Sequence, residues 1–459
     1  MVDATYLRQR TVSALRTSEP GLLVLALAVG AGAGLGAIVF RELVVGLTRL
    51  LTGHPDYAGL GRVGNPHLPW LGAWFVLLTP VVTGLLYGPL VQRFAREARG
   101  HGVPEVMDAV VRRGGRIKPQ VAAVKAVASA LTIGGGGSVG REGPIVQIGS
   151  ALGSTIGSLA GVAAGRMRLL VACGAAGGIA ATFNAPLAGV FFAMELILRD
   201  FTARSFGMVV LASVTSSVIG RAAFGDEAFL TLPGFTVEHR VDYLLFAAIG
   251  VLGGLVGVAF TKFLYLVEDA CDRLWRWPEW LRPAVGGLVL GVLLLALPEM
   301  YGVGYPVLAR GVVAHYSLGF LVVLLLGKML ATSLTIGIGG SGGVFAPSLF
   351  LGAMLGGAFG LVAHDVLPGV AGAPGMYGLL GMAAVFAGAA RAPITAVVIL
   401  FELTGEYSII LPIMAAVVLA TGTSHLLTRD SIYTLKLRRR GIDLDDPAQT
   451  AAREQPATV

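Results

Sequence analysis

Long apolar runs alternate with short polar segments along most of the chain. A helical run of about 20 apolar residues matches the thickness of the hydrocarbon core of a bilayer. The number of runs excludes a secretory signal followed by a soluble domain. The pattern therefore predicts an all-α polytopic membrane protein. The main runs cover residues 21–41, 70–90, 206–218, 242–260, 283–298 and 319–336.

Composition supports this assignment and narrows the candidate chemistry. Of the 459 residues, 55% are hydrophobic and 13% are charged, whereas a soluble domain carries about 25% charged residues. The 66 glycines allow close helix packing in a membrane and local breaks in helices. Cys173 and Cys271 match no metal-ligand spacing. We expect no metal, no other cofactor and no catalytic residue.

Charge is placed at the ends of the apolar runs. The net charge of +7 does not indicate a nucleic-acid partner, because the basic residues lie at membrane boundaries. Loop 53–69 carries only Arg62, whereas 93–118 is rich in arginine. By the positive-inside bias, both termini and the 93–118 segment are predicted to be cytoplasmic. We expect a multi-pass protein of the plasma (inner) membrane in contact with lipid. The basic residues of 93–118 are Arg93, Arg96, Arg99, Arg112, Arg113, Arg116 and Lys118.

The chain contains an internal repeat. Residues 125–153 and 328–356 align without a gap and are identical at 14 of 29 positions. A second block, 174–196, matches 381–403, with Glu195 opposite Glu402. An ancient duplication explains lysine, proline, threonine and glutamate matches in one register. The predicted organisation is a cytoplasmic segment 1–20, a first repeat 21–223, a linker 224–241, a second repeat 242–434 and a disordered cytoplasmic tail 435–459.

Each half interrupts its apolar run with glycines followed by proline, at Gly140–Pro144 and at Gly343–Pro347. Proline suits the first turn of a helix, so each motif predicts a helix that starts inside the membrane. Free N–H groups and a positive partial charge make such a start an anion site. Gly100–Glu105 is a third start of this kind, opening toward the cytoplasm. The alternative is that these glycine–proline pairs only mark turns between spans.

Ionisable residues inside membrane spans are costly and usually functional. Glu142 lies within one of the predicted helix starts, where its carboxylate can compete with a bound anion until it is protonated. That chemistry predicts a gate and outer proton acceptor, against the alternative of a structural pair with Arg141. For Glu195 and Glu402, helix capping or a salt bridge is the plainer interpretation. Lys125 and Lys328 are interpreted as structural rather than pore-lining.

These motifs together resemble the CLC family of chloride channels and chloride/proton antiporters. Gly100–Glu105 resembles the family's GSGIPE, Gly140–Pro144 is its GREGP, and Gly343–Pro347 is its GxFxP. Phe183–Gly189 and Tyr433 are also similar to family motifs. The resemblance covers about 20–440 and implies two inverted-topology repeats of broken helices. It also implies a homodimer with one pore in each subunit.

The resemblance also implies the site residues. A central anion would lie between the backbone N–H groups of Val344 and Phe345, the hydroxyl of Tyr433 and the helix start at His101. Gly102 and Ala346 are further anion-binding candidates. An outer anion would lie near Arg141, Glu142 and Gly143. Glu195 is the candidate for an inner proton pathway. The expected transported species are chloride or other small anions, and protons.

Two positions depart from the family pattern. His101 replaces a serine; we expect its ring to be neutral at a helix N-terminus and still able to donate to an anion. This leaves the preference between chloride and nitrate open. Many exchangers place a proton-transferring glutamate where this chain has Leu196, and many channels have an aliphatic residue there. Leu196 thus favours a channel, whereas the compact chain is typical of prokaryotic members, among which exchangers are common. We expect chloride/proton antiport gated by Glu142, with a passive voltage- or pH-gated chloride channel as the alternative.

Two other classes compete with anion transport. Residues 136–140 and 339–343 match the G-x-S-x-G motif of serine hydrolases. This match makes an intramembrane serine protease one alternative. That motif needs a preceding strand, and here membrane spans flank it. A cation or organic-solute transporter would need acidic or carbonyl-rich breaks instead of helix starts. A transporter or channel, not an enzyme, is therefore expected.

Overall fold

The architecture was obtained from a computed structural model that describes residues 16–226, 242–368 and 371–444. Most of these residues are helical, and no extended strand occurs among them. Within the same ranges, nine helical segments are long and apolar enough to cross a membrane. The all-α polytopic architecture predicted from the sequence is confirmed.

The described residues of the first half, 16–226, form eight α-helices. Ser18 caps the first of these by accepting a hydrogen bond from the N–H of Gly21 at 3.1 Å. Ser18-Glu19-Pro20 has the capping residue, acidic residue and proline that are typical of a helix start. A π-helical turn, Ala193–Leu198, continues directly from the seventh helix. The eight helices are α1 (Glu19–Thr52), α2 (Phe75–Phe94), α3 (Val103–Arg112), α4 (Gln120–Gly134), α5 (Glu142–Ala160), α6 (Ala164–Phe183), α7 (Pro186–Phe192) and α8 (Ala203–Phe224).

The second half repeats this order of elements and adds a short terminal helix. Its helices are α9 (Asp242–Leu274), α10 (Arg282–Ala296), α11 (Tyr305–Val312), α12 (Leu318–Gly337), α13 (Phe345–Val366), α14 (Pro374–Ala390), α15 (Pro393–Thr404), α16 (Ile410–Leu427) and α17 (Thr434–Arg439).

Helices α6 and α14 occupy the centre of the two halves and are almost entirely buried. Each packs against a broken-helix neighbour through facing glycines. A Cβ on Gly149 of α5 would lie 2.1 Å from the carbonyl oxygen of Gly174. At the equivalent positions, a Cβ on Gly352 of α13 would lie 2.3 Å from the carbonyl oxygen of Gly381. The same close backbone approach thus occurs in both repeats, as small residues allow in membrane proteins.

The two repeats meet through equivalent residues. Gly140 donates its N–H to the carbonyl of Gly343 at 2.8 Å, and Gly343 returns the bond at 2.6 Å. The pairing is antiparallel, which places a local two-fold axis between the two glycines. This contact fits two repeats of inverted topology, the arrangement in which ligand sites lie at the repeat interface.

Parts of the predicted domain boundaries lie outside the described residues. These parts are 1–15 of the N-terminal segment, 227–241 of the linker and 445–459 of the tail. The predicted tail began at residue 435, but α17 continues to Arg439 and its Leu437 is buried. Arg439 ties this helix to α9 by bonding Asp269 through both terminal nitrogens, at 2.7 and 2.8 Å. These bonds to Asp269 also raise the pKa of Arg439.

Candidate functional site

Three helices begin at one place in the interior, each at a glycine–proline motif. Helix α3 starts at Val103, α5 at Glu142 and α13 at Phe345, as the motifs predicted. Their backbones are joined: Gly100 donates to the carbonyl of Gly340 at 3.1 Å and accepts from Gly342 at 3.2 Å. Because all three N-termini lie together, their free N–H groups converge on one buried region.

The side chain of Glu142 occupies this region. It is 1% exposed, and its Oε2 accepts the N–H of Ala346 in the first turn of α13 at 3.3 Å. A Cβ on Gly140 would lie only 1.9 Å from the same oxygen. The carboxylate therefore packs directly against the Cα of Gly140 and lies at the start of α13, a helix of the other repeat. A negative group is favoured at that position.

The start of α3 contacts the start of α5 without intervening side chains. A Cβ on Gly143 would lie 1.9 Å from the carbonyl oxygen of His101. Gly102 has φ 84°, a conformation that favours glycine. Both glycines, predicted as anion-site residues, therefore let the two helix starts approach each other.

His101 is buried, with 2% of its surface exposed, and neither of its ring nitrogens has a hydrogen-bond partner among the described residues. Its ring centroid is 6.4 Å from that of Tyr433 and 6.3 Å from that of Tyr265. A buried ring with two unsatisfied nitrogens is costly unless a ligand or water bonds to it. Its position beside Tyr433 groups the two side chains that the family resemblance assigns to the central anion.

Tyr433 lies at the end of a tightly held segment. It precedes α17, and the hydroxyl of Tyr265 donates to the carbonyl of Ile432 at 2.5 Å. The N–H of Ile432 donates to the carbonyl of Ala389 at 2.8 Å. Lys436, the third residue of α17, forms an ion pair with Glu268. These contacts fix the backbone on both sides of Tyr433.

Phe345 is buried in an aromatic cluster. Its ring centroid is 4.5 Å from Phe386 and 5.6 Å from Phe183. Phe183 belongs to the Phe183–Gly189 motif, so that motif supports the start of α13. Val344, just before the helix, is also buried. Because both side chains are apolar, this segment can offer an anion only its backbone N–H groups.

Two buried lysines hold the loops before the broken helices. Lys125 donates to the carbonyls of Ala98 at 3.0 Å and Gly100 at 2.7 Å. Lys328 donates to the hydroxyl of Ser138 at 2.9 Å and to the carbonyls of Gly302 and Val303 at 3.2 and 2.9 Å. Their donors are used by the protein itself, in agreement with the structural interpretation from the sequence.

The serines of the G-x-S-x-G matches join the two repeats. The N–H of Ser138 donates to the hydroxyl of Thr335 at 3.1 Å, and that of Ser341 donates to the hydroxyl of Thr132 at 3.2 Å. Both serines are fully buried and follow helices, not strands. The repeated motif is therefore explained by a reciprocal contact across the local two-fold axis.

The carboxylate of Glu195 is bonded to the start of a different helix, α15. Its carboxylate accepts the N–H groups of Ile394 at 3.1 Å and Thr395 at 2.9 Å, together with the Thr395 hydroxyl at 2.7 Å. It therefore caps α15, as the plainer interpretation of the sequence stated. Its role in an inner proton pathway stays a prediction.

Sequence reasoning missed Tyr305. Its hydroxyl donates to Oε1 of Glu142 at 2.7 Å, and the guanidinium carbon of Arg141 lies 5.0 Å from its ring centroid. A signal was present: Gly302-Val303-Gly304-Tyr305-Pro306 has the glycine and proline spacing of Gly100–Pro104. Helix α11 is thus a fourth broken-helix start, related to α3 by the repeat.

A cavity of about 240 Å³ lies beside the start of α3. His101 and Gly102 contribute to its wall, together with Arg99, Lys436 and Arg440. Arg440 pairs with Glu105 of α3 at 2.7 Å. Four basic side chains line it, Arg96, Arg99, Lys436 and Arg440, and so do three acidic ones, Glu105, Glu268 and Asp272. The cavity beside the histidine ring therefore has a wall of mixed charge.

The fold and the converging helix starts define a polytopic membrane transport protein built from inverted repeats. A family model described as "Voltage gated chloride channel" matches residues 83–425, and the chain belongs to this family, the CLC family. The expectation of a transport protein and not an enzyme is thereby confirmed.

Individual relatives and a solved structure align with 82–92% of this chain. It is 34% identical to the "Putative chloride channel protein ClcB-like" of Ralstonia nicotianae, over 92% of this chain and 98% of the relative. It is 35% identical to the H(+)/Cl(-) exchange transporter ClcA of Vibrio parahaemolyticus, over 82% of each. The crystal structure of a slow cyanobacterial Cl-/H+ antiporter matches with a TM-score of 0.81 at 26% identity. That match covers 91% of this chain and 97% of the antiporter.

Proposed function

We propose that this protein carries chloride and similar small anions across the membrane in exchange for protons, with Glu142 as the gate. One observation carries the proposal. The Glu142 carboxylate accepts the N–H of Ala346 at the start of α13, so an anion of the protein itself fills a site built for anions. Backbone donors hold an anion with partial charges only. A fully charged side chain would bind the anion more tightly and release it more slowly.

The gate follows from competition for these donors. When Glu142 is ionised, it occupies the outer position near Arg141 and Gly143 and excludes a free anion. Protonation removes its charge and frees the position, so anion flux rises as the external pH falls. The same protonation event loads one proton on the transport path. One residue thereby links anion movement to proton movement.

The central anion is assigned to the region inside Glu142. The N–H groups of Val344 and Phe345 and the hydroxyl of Tyr433 supply donors on one side. The start of α3 at His101 and Gly102 supplies the other side. The unpartnered ring nitrogens of His101 support this assignment, because a neutral imidazole can donate one N–H to a halide.

Two relatives support exchange: the Vibrio transporter is named for H(+)/Cl(-) exchange, and the cyanobacterial protein is named an antiporter. The second candidate is a passive chloride channel. It is favoured by Leu196, an aliphatic residue at the position where many exchangers place a proton-transferring glutamate. The name of the Ralstonia relative also refers to a channel.

The test uses purified protein in liposomes, with chloride and proton fluxes recorded together. Glu142→Gln imitates the protonated gate, and we expect passive chloride flux with no proton movement and little pH dependence. Glu402→Gln is the control, since it makes the same change at a half-buried carboxylate that caps α7. If Glu142→Gln retained the wild-type pH response or continued to move protons, the proposed gate would be wrong.

Reversal potentials separate the two candidates. Under a chloride gradient, a channel reverses at the chloride equilibrium potential whether or not a pH gradient is present. An exchanger reverses at a potential that moves when a pH gradient is added. We expect the potential to move.

The resemblance to the family also supports a homodimer with one pore in each subunit, which we propose for this chain. We further propose that it lies in the plasma (inner) membrane with both termini cytoplasmic, as the basic segment 93–118 suggests. Mass measurement of the detergent-solubilised protein by light scattering tests the dimer. Labelling of single cysteines introduced at residue 56 and at residue 116, from each side of the membrane, tests the orientation.

A further inference from the structure

The Glu142 carboxylate is held from two directions. Oε2 accepts a backbone N–H from α13, while Oε1 accepts the hydroxyl of Tyr305 at 2.7 Å. The backbone donor is available to any anion that enters the site. The hydroxyl is a side-chain donor on α11, and in this structure it bonds the carboxylate of the gate.

The position of Tyr305 is fixed by its surroundings. Lys328 donates to the carbonyls of Gly302 and Val303 just before it. Gly304 has φ 86°, which turns the chain into α11 at a conformation suited to glycine. Arg141 stacks on the ring at 5.0 Å. The hydroxyl is therefore presented to Glu142 by an anchored loop and a stacked ring, which lowers the entropy lost in making the bond.

The repeat shows that this contact is one-sided. Gly302–Pro306 corresponds to Gly100–Pro104, and Val103 stands at the position of Tyr305. Valine has no donor, so the helix start related to α11 cannot hold a carboxylate in this way. Only the second repeat has a side-chain hydroxyl at this position, and that hydroxyl bonds Glu142 of the first repeat.

We propose that Tyr305 is the positioning residue that holds ionised Glu142 in the anion site and thereby sets the external pH at which transport rises. This inference rests on the proposed function of Glu142. A hydroxyl that donates to a carboxylate favours the ionised form. It therefore stabilises the closed gate, and a lower pH is needed to release it.

The decisive variant is Tyr305→Phe, which removes the hydroxyl and keeps the ring on Arg141. A hydrogen bond to a charged group contributes enough to move a titration by about one pH unit. We expect the midpoint of acid-activated chloride efflux to rise by about one unit. Efflux at a pH well above the midpoint should then increase about tenfold, while the maximal rate at low pH stays near that of the wild type.

Tyr301→Phe is the matched control. Tyr301 is also buried near this loop, but its hydroxyl donates to the carbonyl of Gly134 at 2.7 Å and not to Glu142. Loss of that bond should lower thermal stability without moving the midpoint. A shift of equal size in both variants would overturn the proposal, because it would show a general loosening of the loop.

The double variant Glu142→Gln with Tyr305→Phe separates this inference from the function on which it rests. If the gate is Glu142 and Tyr305 acts through it, the double variant should behave like Glu142→Gln alone. If Glu142→Gln abolishes pH dependence but Tyr305→Phe leaves the midpoint unchanged, only the role of Tyr305 is wrong. If Glu142→Gln keeps its pH dependence, the proposed function itself fails.

Discussion

The carboxylate of Glu195 caps the helix that carries Glu402, and the carboxylate of Glu402 caps the helix that leads to Glu195. Glu402 accepts the N–H groups of Leu187 and Ala188 at 2.9 and 2.6 Å. Glu195 accepts the equivalent groups of α15. Glu195 and Glu402 are equivalent residues of the two repeats. The same capping contact is therefore made once in each direction, and together the two contacts hold α7 against α15.

This reciprocity predicts similar effects from Glu195→Gln and Glu402→Gln. An amide offers one acceptor oxygen where the carboxylate offers two, so each variant leaves a helix start with a poorer cap. We expect a loss of about 1–3 kcal/mol of stability in each case, measured as a lower melting temperature in detergent. Proton coupling should change little in either. If Glu195→Gln alone abolished proton flux, its role in an inner proton pathway would be favoured over capping.

The sequence predicted those parts of the fold that repeat or have local signals. The helix starts at Val103, Glu142 and Phe345 were all indicated by glycine and proline, whose backbone preferences act within a few residues. The contact of Tyr305 with Glu142 was not predicted. It joins residues 163 positions apart. Helix α11 packs on α13 and α14, and this tertiary packing, which no local pattern encodes, brings Tyr305 to Glu142. The glycine–proline spacing around Tyr305 indicated a helix start but not its partner.

Tyr433→Ala should weaken the central anion site. The side chain is buried beside His101, and the proposed anion would lose one hydroxyl donor while water gains access. A hydrogen bond to a charged group contributes about 1.5–3 kcal/mol, so bromide affinity should fall about tenfold or more. Calorimetric titration with bromide measures this. Tyr433→Phe separates loss of the hydroxyl from loss of the ring. Unchanged bromide binding in both variants would contradict the assignment.

His101→Ser should alter anion preference. The change replaces a bulky ring that has two unpartnered nitrogens with the small hydroxyl typical of the family. We expect a different ratio of nitrate to chloride flux, or a different dependence on internal pH, because His101 lines a cavity together with charged side chains of both signs. Paired efflux assays with the two anions measure the ratio. If both the ratio and the internal pH profile stayed the same, His101 would only fill space at the helix start.

Gly140→Ala tests the place of the gate without changing any ionisable group. The φ angle of Gly140 is not positive, so alanine fits the backbone. The added Cβ would, however, lie 1.9 Å from Oε2 of Glu142 and 3.2 Å from the Cβ of Ala346. The flexible end of the Glu142 side chain is the group that can move, so the methyl should displace the carboxylate from the helix start of α13.

Displacement has a specific consequence for pH dependence. An ionised Glu142 that cannot reach its donors no longer competes with chloride, so the site is open even when the carboxylate is charged. We expect chloride efflux at alkaline external pH to rise several-fold and its activation by acid to become shallow. Gly46→Ala is the control, because a Cβ at Gly46 meets no atom within 4 Å. Wild-type acid activation in Gly140→Ala would show that the carboxylate does not close the path at this glycine. Loss of both efflux and bromide binding would instead show that the methyl fills the position of the anion itself.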